Sequence, residues 1–297
     1  MVSVIPQNAN ELIEQQLEER AKALENAFSA DVLTFNGAML FQVDDLIRNT
    51  VENVRRGSPN TKRLVVLLTS LGGYIEPVHR IVDVLRHHYD YVDFVVPNYA
   101  YSAGTLLAMS GDAIYMNYYS RLGPIDPQIE GSNGRVVSAL GYLEQWNRLL
   151  KKANDGTLTT IEAELMIDGF DQAELYQFEQ QRELSIALLQ EWLVKYKFKD
   201  WLRTEGRGIP VTNTMRKRRA RSIASMLNNT EKWHTHGYGI SMEVLRRDLN
   251  LKIDDFDQDS RKVGDLIKDY HNLLSDYMVR RGSSGAVHAK GTYLPYA

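Results

Sequence analysis

Apolar residues along this chain fall into two alternating rhythms, one helical and one of short continuous runs. From Asn10 to Phe28, Leu12, Ile13, Leu17, Ala21 and Leu24 stand at helical spacing in a stretch rich in Glu and Gln, which predicts a helix with one narrow apolar stripe. Val32 to Phe35 predicts a first strand. Phe41 to Arg55 predicts a helix with Leu46, Ile47 and Val51 inward, ended by Arg56-Gly57-Ser58-Pro59. Strands at 64–68, 92–96 and 113–116 then alternate with helices at 75–88 and 102–109. Apolar runs separated by helices predict an α/β chain whose parallel sheet is covered on both faces. Pro124 and Pro127 break regular structure around Ile125-Asp126.

Beyond this block, 162–197 predicts a long helical stretch broken near Gly169, with Leu175, Phe178, Leu184, Leu188, Leu189 and Trp192 on its buried side. The basic run from Lys195 to Arg221 includes Arg216-Lys217-Arg218-Arg219 with no aromatic company, and it reads as a solvated face offsetting acidic neighbours. A further helix is expected at 222–227 and another opening at a Ser241 cap. The segment after Arg280, with its Gly, Ser and Lys, is expected to be mobile. The expected organisation is an N-terminal helix in 1–30 serving as an oligomer contact, a main domain over 31–255 that turns helical near 160, and a C-terminal helix and tail over 256–297.

Composition narrows the function classes. With 297 residues, 43% of them hydrophobic, the chain can bury a sizeable core. A formal net charge of −3 gives no broad electrostatic case for nucleic acid. Cysteine is absent, which excludes disulfides and thiolate metal sites and is compatible with a reducing cytosol. No apolar stretch approaches the roughly 20 residues of a membrane helix, and the first 25 positions are polar and acidic, unlike a signal peptide. The expectation is a soluble, cytoplasmic protein with neither membrane nor nucleic-acid partner.

The chemistry concentrates in two glycine-containing turns. Thr69-Ser70-Leu71-Gly72-Gly73 follows one apolar run, and Tyr101-Ser102-Ala103-Gly104-Thr105 follows the next. In the second, a serine hydroxyl sits on a strand-to-helix turn beside the amide of Ala103, where a nucleophile would stand. In the first, adjacent glycines free backbone N–H groups to face a developing oxyanion. Candidate residues are therefore Ser102 as nucleophile, the amides of Gly73 and Ala103 as an oxyanion hole with Gly72 permitting the turn, and Tyr74 and Tyr101 along a groove for extended peptide.

The run from Arg63 to Ile129, containing "TSLGGYIEPVHRIVDVLR" and "VPNYAYSAGTLLAMSGDAIYMNYYSRLGPIDPQI", resembles the Clp protease and crotonase superfamily. It is most similar to the serine dehydrogenase proteinase group, relatives of signal peptide peptidase A. A later stretch, Trp233 to Ile240, resembles that group's Trp-Thr-His segment. The resemblance implies a ββα-superhelix fold with helical N- and C-terminal extensions, a serine peptidase using an acyl-enzyme, a peptide or protein substrate, no cofactor and a homo-oligomer. The "dehydrogenase" of the label finds no glycine-rich dinucleotide motif here.

A serine hydroxyl needs a base. The loop where Clp proteases carry a histidine reads "SRLGPIDPQ" here, with Ile125 or Asp126 in its place, so a Clp-type triad is not supported. Relatives of signal peptide peptidase A use a later lysine shortly before a helix opening in Thr-x-x-Glu. Lys151 and Lys152 precede Thr159-Thr160-Ile161-Glu162 and match that pattern, Lys152 slightly better. A lysine acts as base only if burial or a neighbouring cation lowers its pKa from about 10.4 toward 7 to 8. His236 is the rival, with a loop-fixing role as its plainer reading. His-Thr-His lacks a third metal ligand nearby. Two other functions stay open: a crotonase-type acyl-CoA enzyme, which acyl-CoA would stabilise thermally, and a non-catalytic oligomeric scaffold of the same fold.

Overall fold

The computed structural model describes residues 6–125, 128–130, 136–235 and 237–297. The first half runs α1 (Ala9–Phe28), β1 (Asp31–Asn36), α2 (Val43–Gly57), β2 (Arg63–Thr69), α3 (Ile75–His88), β3 (Tyr91–Val95), β4 (Tyr99–Ala100), α4 (Ala103–Met109), β5 (Ala113–Met116) and β6 (Arg121–Leu122). A small hairpin, β7 (Gln128–Glu130) and β8 (Val136–Ser138), leads to α5 (Ala139–Asn154), α6 (Thr160–Asp168) and α7 (Gln172–Trp192), which continues into a π-helical turn at Leu193–Lys197. The chain ends with α8 (Asn213–Leu227), α9 (Thr230–Trp233), β9 (Ile240–Ser241), α10 (Met242–Arg247), β10 (Asp254–Asp255), α11 (Val263–Arg281), β11 (Gly285–Ala289) and β12 (Thr292–Tyr296).

The central sheet has the order β10-β5-β3-β2-β1-β11-β12, parallel from β10 to β1 and antiparallel across β11 and β12. Its continuous apolar strands are buried on both faces, as the pattern predicts. Leu64, Val66 and Leu68 of β2 enter a core shared with α2, α3, α4, α7 and α8, while Val65 and Leu67 enter a second core shared with α1 and α11. The two-residue period of a strand divides one apolar run between two helical layers.

Three expectations are corrected. The segment after Arg280 is an ordered hairpin: β11 pairs with both β1 and β12, joined at Lys290-Gly291, where both residues have positive φ, as a two-residue hairpin turn of the primed type requires. The α1 stripe expected to meet another subunit packs on α11 of the same chain through Leu17, Ala21 and Leu24. Leu184 is exposed, because the buried face of α7 runs through Phe178, Ser185, Leu189 and Trp192 and leaves Leu184 at its margin.

Two details follow local chemistry. The break at Gly169 is present, and each flanking helix carries its own N-cap: Thr159 forms a capping box with Glu162, and Asp171 caps α7. The helix expected at 222–227 starts earlier, at Asn213, capped by Thr212. Among the described residues no helix is long and apolar enough to cross a membrane.

Candidate active site

β2 and β3 are parallel neighbours, so the turns that follow them leave the same edge of the sheet. The bridge between Ser70 and Ala100 extends that pairing past the strand ends: Ser70 N–H donates to Tyr99 O at 3.0 Å, and Tyr101 N–H to Ser70 O at 2.9 Å. This topology brings the two sequence motifs into contact.

Ser102 is the residue before α4, and its backbone has φ 51° and ψ −117°. A non-glycine residue there is strained by about 1–3 kcal/mol, and the conformation is imposed by Gly104 N–H bonding to Tyr101 O at 2.8 Å and Leu106 N–H to Ser102 O at 3.1 Å. Its side chain is 9% exposed and caps no helix N–H, and its hydroxyl makes no hydrogen bond among the described residues. Thr105 braces the turn from behind: its Oγ1 lies 2.7 Å from Ala100 O and 3.0 Å from Gly123 O, and it accepts Gly123 N–H at 2.9 Å.

The glycine turn is held from the other side by Met39, whose N–H donates to Gly72 O at 2.8 Å and whose carbonyl accepts Tyr74 N–H at 2.9 Å. Gly72 and Gly73 have φ +106° and +140°, values that favour glycine. Gly72 N–H donates to Ser70 Oγ at 3.0 Å. Gly73 N–H and Ala103 N–H have no partner among the described residues. Two uncommitted amides are thus left over, one directly after the strained serine and one directly after the glycine packed against it.

The two tyrosines assigned to a groove diverge. Tyr74 is 50% exposed and its ring meets that of Phe41 at 4.6 Å between centroids. Tyr101 stacks on Tyr99 at 5.4 Å and lies against Gly123 and Gly239, and burial pushes its phenol pKa up. Phe41, 59% exposed, and Leu71, 67% exposed, complete an apolar rim beside the glycine turn. The motifs by themselves assign no role in the site to Ser70, Thr105 or Phe41. A serine two residues before a glycine was the available signal for Ser70.

The base candidates are placed differently. Lys151 and Lys152 sit in the last turn of α5, which packs with α6 and the start of α7 around Leu143, Phe178 and Trp146, a cluster separate from the core beneath Ser102. Lys152 pairs with Glu162, the N3 residue of the α6 capping box; that pairing first, and then the Thr159 N–H, holds the Glu162 carboxyl at about 2. Lys151 is exposed. No hydrogen bond or ion pair joins either lysine to Ser102 among the described residues. His236 lies outside the described residues. Its flanks are anchored: Trp233 is buried and its Nε1 donates to Met226 O at 2.7 Å. On the other side β9 joins β6, which pairs with β4, the strand leading to Ser102. A Cβ on Gly239 would stand 3.3 Å from the Tyr101 hydroxyl. Ile125, in the loop that lacks a histidine, is buried and donates its N–H to Leu227 O at 3.2 Å; Asp126 lies outside the described residues.

Residues 12–183 match the family described as ClpP-like SDH-type serine proteinase. The chain belongs to this family. The match spans both turns, the loop that lacks a histidine and the α5–α6 region. Two uncharacterized proteins of Methanocaldococcus jannaschii are similar. One is 35% identical over 74 residues, 25% of this chain and 26% of that protein. The other is 29% identical over 134 residues, 44% of each. The chain therefore spans well under two thirds of the curated relatives it matches. Similar solved structures include the 1510-N membrane-bound stomatin-specific protease, with TM-score 0.46 and 13% identity over 80% of this chain and 82% of that one. ClpP1 from Listeria monocytogenes is similar with TM-score 0.43 and 10% identity over 84% and 98%.

Proposed function

We propose that this chain is a serine peptidase whose nucleophile is Ser102 and whose oxyanion hole is the amide pair Gly73 and Ala103. One observation carries the reading: a serine with φ 51° at the start of a helix, packed against the glycine turn, with one N–H in each turn that has no partner among the described residues. The hydroxyl would attack a peptide carbonyl, its proton passing to a base. The carbonyl oxygen would gather charge against the two amides, and the amine would leave with a proton to give an acyl-enzyme that water hydrolyses. Phe41, Leu71 and Tyr74 would border the peptide beside the glycine turn, while Tyr101 shapes the wall behind.

For the base, a lysine of the last α5 turn is the first reading, supported by the Thr159–Glu162 capping box that follows it. It requires Lys152 to leave Glu162, or Lys151 to act in its place. His236 is the second, favoured by the strand pairing that ties its flank to the Ser102 turn. Self-association belongs to the same reading, since Ile161, Leu165 and Ile167 of α6 are exposed.

The test is fluorophosphonate labelling with peptide mapping, alongside hydrolysis of labelled casein. Adduct on Ser102 and loss of both activities in Ser102→Ala are expected. Hydrolysis that persists in Ser102→Ala, or an adduct on another residue, would remove Ser102 from the mechanism. Stabilisation by acyl-CoA without any serine adduct would point to the crotonase-type alternative instead.

A further inference from the structure

We infer that Ser70, outside the reacting set, is a positioning residue that selects which amide of the glycine turn faces the oxyanion; this rests on the peptidase reading above. Ser70 is 1% exposed and touches both turns with three polar groups. Its N–H and C=O pair with Tyr99 and Tyr101 and fix the height of the Ser102 turn. Its Oγ accepts Gly72 N–H at 3.0 Å. A Cβ at Gly104 would come within 3.2 Å of the Ser70 Cβ, so the first turn of α4 is also packed on this residue.

The consequence is an ordering of amides. Three consecutive N–H groups leave the turn: Gly72, Gly73 and Tyr74. Ser70 takes the first, Met39 O takes the third, and Gly73 alone of the three is left over among the described residues. An N–H that already donates cannot also stabilise a transition-state oxygen, and a free one that points elsewhere competes with the productive geometry. Removing the Ser70 hydroxyl releases Gly72 N–H and frees the dihedrals of a two-glycine segment whose residues lack any Cβ to restrain them. The oxyanion donor then has to be ordered during the reaction rather than before it.

The experiment reads the second-order rate constant and the final stoichiometry of fluorophosphonate labelling in the full chain. In that reaction Ser102 Oγ forms a bond to phosphorus, fluoride leaves, and the hydroxyl proton passes to the base or to water, while the phosphoryl oxygen gathers charge. Ser70→Ala is expected to lower the rate constant about 10- to 100-fold, somewhat less than outright loss of an oxyanion donor, with stoichiometry unchanged. Ser70→Cys keeps the volume with a weaker acceptor and should fall between the two. A merely structural role would reduce the fraction of protein that reacts and leave the rate constant of the remainder at the parent value. A parent-like rate constant in either variant, at whatever stoichiometry, overturns the inference. If the parent itself takes no adduct on Ser102, the peptidase reading fails first and carries this one with it. Parent labelling with unslowed variants would sink the Ser70 role alone.

Discussion

Gly72 and Ser102 lie against one another: a Cβ at position 72 would stand 2.8 Å from the Ser102 Cβ and 3.3 Å from its Oγ. The glycine turn and the serine turn are therefore one packed unit. Gly72→Ala combines a steric push on the candidate nucleophile with an unfavourable φ of +106°. We expect casein hydrolysis to fall at least about 100-fold, by the geometric sensitivity of positioned groups, and stability to drop by roughly 1–3 kcal/mol. Steady-state kinetics and thermal unfolding of the variant measure both.

Gly73→Ala displaces the amide together with the turn that carries it. A Cβ at 73 would be driven into the Met39 backbone, whose carbonyl carbon and nitrogen would both lie 2.9 Å away, so the clamp from Met39 to Gly72 and Tyr74 has to open. The expected loss in kcat is about 100- to 1000-fold, that of one oxyanion donor, with KM changed much less. An unchanged kcat would exclude Gly73 from the hole.

The two readings of the base predict opposite responses. With a lysine base, Lys152→Met or Lys151→Met abolishes hydrolysis and His236→Gln leaves it nearly intact; with a histidine base the order reverses. The pH profile of kcat/KM gives an independent readout, because an imidazole base and an amine base lose their protons in different pH ranges. Lys152→Met also releases Glu162. The folded carboxyl is held at about 2, against an ordinary 4.5. Pairing therefore stabilises the fold above about pH 4.5 and is lost as pH falls toward 2. This acid-side slope should flatten in the variant, read from unfolding midpoints between pH 5 and 2.

A second pH effect lies far from the site. His288 of β11 is buried, bonded through Nδ1 to the Tyr270 hydroxyl at 2.8 Å, which in turn lies 2.8 Å from Thr34 Oγ1; its Nε2 has no partner among the described residues. Burial pushes its pKa down to about 4. The unfolded chain binds a proton below about 6.5 that the folded chain refuses until about 4, so stability declines as pH falls through that window. The decline amounts to about 3 kcal/mol at most by proton linkage. Unfolding midpoints at pH 7 and 4.5 should converge in His288→Phe relative to the parent. A parent-like pH slope in that variant would remove His288 as the cause.

Much of the fold was legible because its signals are local. The apolar runs of β2 and β3, the helical stripe of α3, the break at Gly169 and the Ser241 cap, which accepts Val244 N–H at 3.4 Å, each follow from neighbouring residues. The β11–β12 hairpin was missed because Gly, Ser and Lys in a terminal segment resemble a loose tail. Only the Lys290-Gly291 turn and the open edge of β1 give those residues a partner. The exposure of Leu184 was hidden for a related reason: helical spacing offers a stripe without saying how wide a strip the neighbour covers.

For the site, the sequence by itself determined the two turns, the serine between strand and helix and the paired glycines, because turn chemistry is written in adjacent residues. Tertiary structure alone decided that the turns touch, that Ser70 and Met39 consume the amides on either side of Gly73, and that Lys152 faces Glu162. Those outcomes depend on which strands lie side by side and which groups then compete for each N–H. Both are long-range matters that no window of sequence contains.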